Sequence, residues 1–181
     1  MMLLSKDRFT SSNLGPSWRV KFPSRFGRDA LCCDIFVPSL SSPADTSTKT
    51  SQLRLINVHL DSLPIQPSKR PEQLSTVAGL LREAGQGLVA GDFNPVLPED
   101  DSLVQGNGLV DAWVELHNSQ PGFTWGVDGK QKFPAGRLDK VAMLGLRPVN
   151  IEVLHPDTVF GEDGRTVPWS DHSGLKCTFN L

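Results

Sequence analysis

QLRLINVHLDS (residues 52–62) is an apolar run that predicts a β-strand ending in polar residues. The segment SKRPEQLSTVAGLLREAGQG (residues 68–87) follows it, and its apolar residues recur at helical spacing. These residues are Leu74, Val77, Leu80 and Leu81, with Gly85 and Gly87 as stop signals. GLVAGDFN (residues 87–94) then resumes as a short apolar strand. The three segments therefore predict a strand, an amphipathic helix and a second strand.

The remaining segments extend this mixed pattern in both directions. DALCCDIFVP (residues 29–38) predicts a strand before the opening one, and the Ser-, Thr- and Pro-rich segment between them, about residues 38–52, predicts a flexible hairpin loop. GLVDAWVELH (residues 108–117) is compatible with a short helix. Four strand-like segments bounded by Gly or Pro come later: GFTW, GRLDKVAML, RPVNIEVL and SGLKCTFNL. Without internal repeats, this predicts a strand-rich α/β fold.

Length, charge and cysteine usage restrict the class of protein. The 181 residues are enough for one domain and short for two, so residues 1–181 are expected to form a single domain. With 18 basic and 20 acidic residues, the net charge of -2 excludes a general basic coat but permits a local positive groove. Three cysteines without metal-type spacing, and no long apolar stretch, favour an intracellular protein, nuclear or cytoplasmic, without a membrane span.

Polar residues recur at the ends of the predicted strands. They are His59, Asp92, Asn94, Asp139, Asp171 and His172. Strand ends gathered on one edge of a sheet are where open α/β folds build their sites. Each residue also has an ordinary structural interpretation: a core histidine for His59, an Asx turn for GDFN, and a surface ion pair for Asp139. Their joint placement favours a site.

This set of side chains suits phosphoester hydrolysis. The reaction needs a positioned water, neutralisation of charge on the non-bridging oxygens and help for the leaving oxygen. Asp92 can orient and deprotonate water, with Asn94 fixing the geometry. His172 can donate to a phosphoryl oxygen as an imidazolium held by a carboxylate, for which Asp139 is the candidate. Asp171 offers a hard oxygen ligand to Mg²⁺.

The motifs NVHLDS, AGDFN, GRLDKV and WSDHSGL, in this order, resemble those of the endonuclease/exonuclease/phosphatase superfamily of Mg²⁺-dependent phosphodiesterases. FGRDALCC, GLVDAWVEL and GFTWGVDG are similar to the 5′-tyrosyl-DNA phosphodiesterase branch, which releases a topoisomerase tyrosine from a DNA 5′-phosphate. The resemblance implies a four-layer αββα sandwich, Mg²⁺ or Mn²⁺ as cofactor, and DNA or another phosphodiester as substrate.

The same resemblance assigns roles to individual residues. It makes Asp92 the activator of the attacking water, with Asn94 orienting phosphate or water. His59 would contact a phosphoryl oxygen, Asp139 would hold His172, and His172 would stabilise the transition state. Asp171 would sit at the metal. Trp125 would line the substrate groove, and Ser62 and Ser170 would help to bind phosphate, against the alternatives of a core tryptophan and of turn serines.

One departure separates this chain from the superfamily. There, the first part of the domain supplies an Asn-bearing strand and the Glu that is the main Mg²⁺ ligand, whereas the first glutamate here is Glu72, after His59. The domain is therefore expected to be N-terminally truncated, with weakened metal binding and an uncovered sheet edge that could associate with another chain. Two alternatives stay open: an inactive remnant that binds nucleic acid or protein, and a phosphatase or lipid phosphodiesterase of the same superfamily.

A short basic run gives limited support to a nucleic-acid substrate. It comprises Arg19, Lys21, Arg25 and Arg28, and no acidic residue lies between Arg19 and Asp29. These side chains could neutralise a few phosphates if they share a face, and otherwise they are solvated loop charges.

Overall fold

A computed structural model describes residues 1–38, 50–161 and 164–180 of the chain. Its main sheet has six strands in the order β1-β2-β3-β4-β6-β5. These strands are β1 (Leu14–Lys21), β2 (Asp29–Pro38), β3 (Thr50–His59), β4 (Gly87–Asp92), β5 (Val110–Asp111) and β6 (Asp139–Leu144). All neighbours pair antiparallel except β3 and β4, which are parallel. The predicted mixed α/β class is confirmed.

Helix α1 (Arg70–Ala84) makes the crossover between the parallel strands β3 and β4. A proline at its start and Glu72 in its first turn favour initiation, and Gly85, with φ of 82°, ends it. Its buried face packs on the sheet through Leu74, Val77, Ala78 and Leu81. The predicted helix is thus confirmed with Gly85 as its stop, but Gly87 is not a stop signal because it is the first residue of β4.

The opposite face of the sheet is covered in two places. The pair β7 (Arg147–Leu154) and β10 (Gly174–Asn180) forms a two-stranded antiparallel sheet, and Ile151 from it packs against Val141 and Met143 of β6. The N-terminal residues Met2, Leu4 and Phe9 pack against the cluster formed by Cys33, Ile35 and Leu53. Apolar burial on both faces of the main sheet is the main stabilising contribution to this fold.

Several predicted segments take a different form. GFTW is not a strand, because Trp125 makes only isolated bridges with Gly136 and His172. GLVDAWVELH divides into β5 and helix α3 (Ala112–His117), since Asp111 caps the helix by accepting from the amides of Trp113 and Val114. Strands β2 and β3 pair antiparallel as expected, but residues 39–49 of the predicted hairpin loop lie outside the described residues.

The remaining elements are short. Helix α2 spans Leu103–Gly106, a single 3₁₀ turn spans Pro98–Asp100, and β8 (Thr158–Phe160) pairs with β9 (Thr166–Pro168) in a hairpin that the sequence did not predict. Within the parts of the chain that the structure describes, no helix is long and apolar enough to cross a membrane. Strand β1 is the outer strand at one side of the main sheet, and association through that edge stays a prediction.

Candidate active site

The ends of three adjacent strands bring the first polar residues together. His59 ends β3, Asp92 ends β4 and Asp139 begins β6. In the sheet register, His59 is paired with Asp92, and Asp92 with Asp139. Because side chains alternate between the faces of a sheet, these register partners share one face. The hydrogen-bonding pattern of the sheet therefore places an imidazole and two carboxylates in one row.

Gly91 allows β3 and β4 to approach just before this row. Its φ is 141°, and a Cβ added there would collide with the carbonyl of Val58. Val58 is its register partner and precedes His59. A side chain at this position would push the strands apart where His59 and Asp92 meet, so glycine here is a requirement of the site as well as of the sheet.

Asp92 is held in place by the turn that follows β4. Its Oδ1 accepts the backbone N–H of Asn94 (2.9 Å), in an Asx turn that puts Asn94 at φ of 46°. The buried Asn94 side chain donates from Nδ2 to the carbonyl of Leu60 (3.2 Å) and so fixes the turn to the end of β3. Burial raises the pKa of Asp92 above its ordinary value of 3.8, and the Asn94 N–H partly offsets this effect.

His172 and Asp139 form the second carboxylate–imidazole pair. The Nδ1 atom of His172 lies 2.7 Å from Asp139 Oδ2, which leaves Nε2 as the second ring nitrogen at the cleft. This hydrogen bond to Asp139 raises the pKa of His172 above 6.5, although desolvation opposes it. His172 is thereby favoured as the imidazolium, a donor suited to a phosphoryl oxygen. The pairing that the sequence predicted for these two residues is present.

Thr124 positions both members of this pair. Its buried hydroxyl accepts the N–H groups of Leu138 (3.1 Å) and Asp139 (3.0 Å), and its carbonyl accepts the N–H of Ser173 (2.7 Å), the residue after His172. Sequence reasoning missed this residue, although it lies in the GFTW segment. The signal that was available was its place beside Trp125, the candidate groove aromatic, and its burial is seen only in the structure.

His59 lies between Asp92 and Arg28, the residue that precedes β2. Its Nε2 is 3.4 Å from Asp92 Oδ2 and 3.0 Å from Arg28 Nη2, and one nitrogen cannot donate to Asp92 while it accepts from Arg28. Desolvation lowers the pKa of His59 below 6.5, with Arg28 acting in the same direction and Asp92 against it. The neutral ring accepting from Arg28 is therefore favoured.

Arg28 also donates to the Ser62 hydroxyl (3.3 Å), which lies 3.5 Å from His59 Nε2. The sequence included Arg28 in a basic run and in FGRDALCC, but it did not place it at the site. The position of Arg28 beside His59 depends on the turn at Ser24 and Arg25, which Asp61 holds. The Asp61 carboxylate accepts from Ser24 Oγ (2.5 Å) and from the Arg25 amide (2.9 Å). No local pattern reveals that contact across the fold.

A cleft of about 550 Å³ opens over this row of polar groups. Four of the five predicted catalytic residues line it, namely His59, Asp92, Asn94 and His172, together with the predicted substrate-binding residues Ser62 and Trp125. The fifth, Asp139, does not line the cleft and is hydrogen-bonded to His172. Its other walls are apolar and include Val96, Leu138 and the half-exposed Phe133. Charged groups therefore meet at one end of a cleft whose walls suit an aromatic or apolar group.

Ser170 and Asp171 take a different position. They line a separate cleft of about 420 Å³, and Asp171 Oδ2 accepts the indole N–H of Trp125 (3.4 Å). Ser170 Oγ accepts the N–H of His172 (3.0 Å), so it caps the turn that carries this histidine. Neither residue lines the main cleft, and phosphate binding by Ser170 and metal binding by Asp171 stay predictions.

The described residues do not enclose a metal ion with protein ligands alone. Across residues 1–38, 50–161 and 164–180, no three His, Cys, Asp or Glu side chains converge closely enough to hold a metal ion. Asp171 is exposed and accepts a hydrogen bond from Trp125, while Asp92 and Asp139 are each paired with a histidine. Mg²⁺ keeps several waters and is usually bound by one or two carboxylates together with substrate phosphates, so it does not need such a protein cage. Metal ligation by Asp171 stays a prediction.

Comparison with solved structures identifies the architecture. The chain superposes on D. rerio TDP2 complexed with single-strand DNA product with a TM-score of 0.69 and 23% identity, covering 93% of this chain and 68% of that one. The fold is that of the endonuclease/exonuclease/phosphatase proteins. Truncated Caenorhabditis elegans TDP2 gives a TM-score of 0.67 at 21% identity, over 93% of this chain and 66% of its own.

An endonuclease/exonuclease/phosphatase family protein from Bacteroides thetaiotaomicron matches with a TM-score of 0.60 at 17% identity, over 96% of this chain and 68% of that chain. The chain therefore spans about two thirds of the length of these structures. No protein-family profile and no curated protein sequence matches it. The resemblance read from the sequence motifs is confirmed at the level of fold.

Proposed function

We propose that this chain recognises a phosphodiester at the strand ends of His59, Asp92 and Asp139 and hydrolyses it by water attack. The observation that supports the proposal is that a carboxylate and an imidazole, each held by a hydrogen bond, face one cleft. Burial raises the pKa of Asp92, and the hydrogen bond to Asp139 raises the pKa of His172. Ionisable groups with perturbed pKa values in a cleft are candidates for the acid and base roles of a reaction.

In the proposed reaction, Asp92 is the general base. Its raised pKa makes the carboxylate a better acceptor of a water proton than an ordinary aspartate, and the Asn94 N–H fixes its orientation. The water oxygen forms a bond to phosphorus as the bond to the ester oxygen breaks, and the water proton passes to Asp92. The imidazolium of His172 donates to a non-bridging oxygen, where negative charge must be stabilised.

For the substrate we propose a 5′-phosphotyrosyl end of single-stranded DNA, which implies a role in processing blocked DNA ends. The support is the apolar cleft with Trp125, which offers a face for an aromatic ring or a base, and the likeness to a TDP2 structure that holds a single-strand DNA product. A phosphatase or a lipid phosphodiesterase would use the same phosphate centre with a different leaving group.

The test is hydrolysis of a 5′-phosphotyrosyl oligonucleotide by the whole chain, without added metal and with Mg²⁺ or Mn²⁺. Asp92→Asn should lower turnover by about 100-fold or more, whereas Glu152→Gln, which removes a carboxylate on β7 that pairs with Lys176 at the surface, should leave it unchanged. A panel with p-nitrophenyl phosphate and a phosphatidyl substrate identifies the leaving group. Equal turnover by the chain and by Asp92→Asn would contradict the proposed mechanism.

A second candidate is a phosphate-binding module without turnover. It is favoured by the lack of a metal-ligand set among the described residues. In that case the oligonucleotide should bind to the chain without being cleaved under any of the metal conditions. Binding should also be retained in Asp92→Asn, because only the base for water is lost.

A further inference from the structure

A third cleft, called the basic cleft below, adjoins His59 on the side away from the apolar cleft. It has a volume of about 260 Å³ and lies over the face of β1, β2 and β3 that carries His59. Arg19, Arg28, Asp29, Asn57 and His59 are among the residues that line it. Arg28 lines this cleft and also reaches Ser62 of the apolar cleft, so the two clefts meet at the Arg28–His59 contact.

The charge of the basic cleft is mostly positive. Arg19 and Arg28 contribute two guanidinium groups, and Lys21 lies opposite Asp29 in the register of β1 and β2. The single acidic side chain among the lining residues is Asp29, which pairs with Arg19 Nη1 at 2.6 Å. Anions are therefore favoured in this cleft over cations.

The two arginines have donors to spare. The Arg19 side chain is 59% exposed and uses one nitrogen on Asp29, which leaves most of its five N–H donors available. The Nε of Arg28 is buried and has no hydrogen-bond partner. A buried donor without a partner costs free energy, and Arg28 is one of the residues that line this cleft. Guanidinium groups bind phosphate oxygens in a forked geometry that suits two such donors.

We infer that this basic cleft binds a second phosphate group of the substrate, so that the substrate has an apolar arm and an anionic arm on opposite sides of the reacting phosphorus. The inference rests on the proposed function, because the first phosphate is placed at His59 and Asp92. It adds a requirement that the reaction centre does not impose, namely a second negative charge on the Arg28 side of His59. A substrate with a single phosphate leaves Arg19 without a role.

The experiment separates the cleft from the chemistry by measuring binding and turnover in parallel. Binding of inorganic pyrophosphate and of inorganic phosphate is measured by calorimetry at low salt. Turnover is measured with p-nitrophenyl thymidine 5′-phosphate and with the same ester carrying a 3′-phosphate. The variants are Arg19→Gln, Arg19→Lys and the matched control Arg82→Gln, which removes the same charge from α1 on the other face of the sheet.

Arg19→Gln should weaken pyrophosphate binding about fivefold and raise KM for the 3′-phosphorylated ester by a similar factor, with kcat unchanged. Arg19→Lys should lose less, because it keeps the charge and loses only the fork. Arg82→Gln should change neither quantity. Equal losses for Arg19→Gln and Arg82→Gln, or no loss for either, would overturn the inference.

The two proposals fail in different ways. Pyrophosphate binding that depends on Arg19, in a chain that cleaves no ester, would overturn the proposed hydrolysis and leave the basic cleft in place. Cleavage of both esters with identical KM in the unaltered chain and in Arg19→Gln would overturn the role of the basic cleft and leave the proposed hydrolysis in place.

Discussion

Replacing Asp139 by Asn tests whether the carboxylate controls the protonation of His172. The side chains are nearly the same size, and Asn Oδ1 can still accept from His172 Nδ1, so the geometry is kept while the charge is lost. The present bond is short, 2.7 Å, and the two side chains are 29% and 22% exposed. A charge-assisted hydrogen bond contributes about 1.5–3 kcal/mol when protected from solvent. Partial exposure favours the lower part of that range, about 1.5–2 kcal/mol, which corresponds to a rate loss of about 10- to 30-fold.

The assay is steady-state hydrolysis of bis(p-nitrophenyl) phosphate between pH 5 and 9, with an NMR titration of the His172 ring. The pKa of His172 should fall toward 6.5 in Asp139→Asn, because Asp139 is the main cause of its elevation. Glu152→Gln is the matched control for losing a surface carboxylate. An unchanged His172 titration would refute the assignment, whatever the rate.

Stability gives an independent measure of the same pair. A histidine whose folded pKa lies above 6.5 contributes stability that is fully present below the unfolded pKa and is lost as pH rises through the folded pKa. Asp139→Asn should therefore lower the free energy of unfolding in urea more at pH 6 than at pH 9. Equal losses at both pH values would show that the bond does not depend on the charge of His172.

Three further perturbations test other parts of the site and the fold. The rate of hydrolysis should rise with pH as Asp92 loses its proton, at a pKa above 3.8, and fall as His172 loses its proton, at a pKa above 6.5. Asp92→Asn should lower the rate by about 100-fold or more. A pH profile that keeps its acid limb in Asp92→Asn would exclude Asp92 as the base. Asp100→Ala should lower the free energy of unfolding by about 3–5 kcal/mol, because it leaves the Arg70 guanidinium as a buried unpaired charge. In the present structure this guanidinium is 1% exposed and lies 2.8 Å from Asp100. A loss below about 1 kcal/mol in urea unfolding would show that water reaches the pair. Gly91→Ala should destabilise the sheet and separate His59 from Asp92, which urea unfolding and the NMR titration of His59 would measure. The control Gly79→Ala lies on α1, where an added Cβ meets no atom within 4 Å, and should be neutral or stabilising.

Local sequence patterns were sufficient for the elements that carry the site. The apolar spacing of Leu74, Val77 and Leu81 determines the buried face of α1, and the apolar runs before His59 and Asp92 determine β3 and β4. Patterns failed where a tertiary contact decides the backbone. Trp125 takes no part in a regular strand, because it makes one isolated bridge to Gly136 and one to His172 in place of a continuous ladder.

The sequence by itself determined which residues end the strands, and therefore which carboxylates and imidazoles could form a site. Only the tertiary structure decided how they are paired: register puts His59 beside Asp92, the turn at Ser170 brings His172 to Asp139, and Arg28 reaches His59 from the loop between β1 and β2. It also separated Asp171 from the main cleft, although the next residue in the chain lines it. The reason is that propensity and apolar periodicity act over a few residues, whereas the pKa and the partner of a side chain depend on groups that the fold brings within a few ångströms from anywhere in the chain.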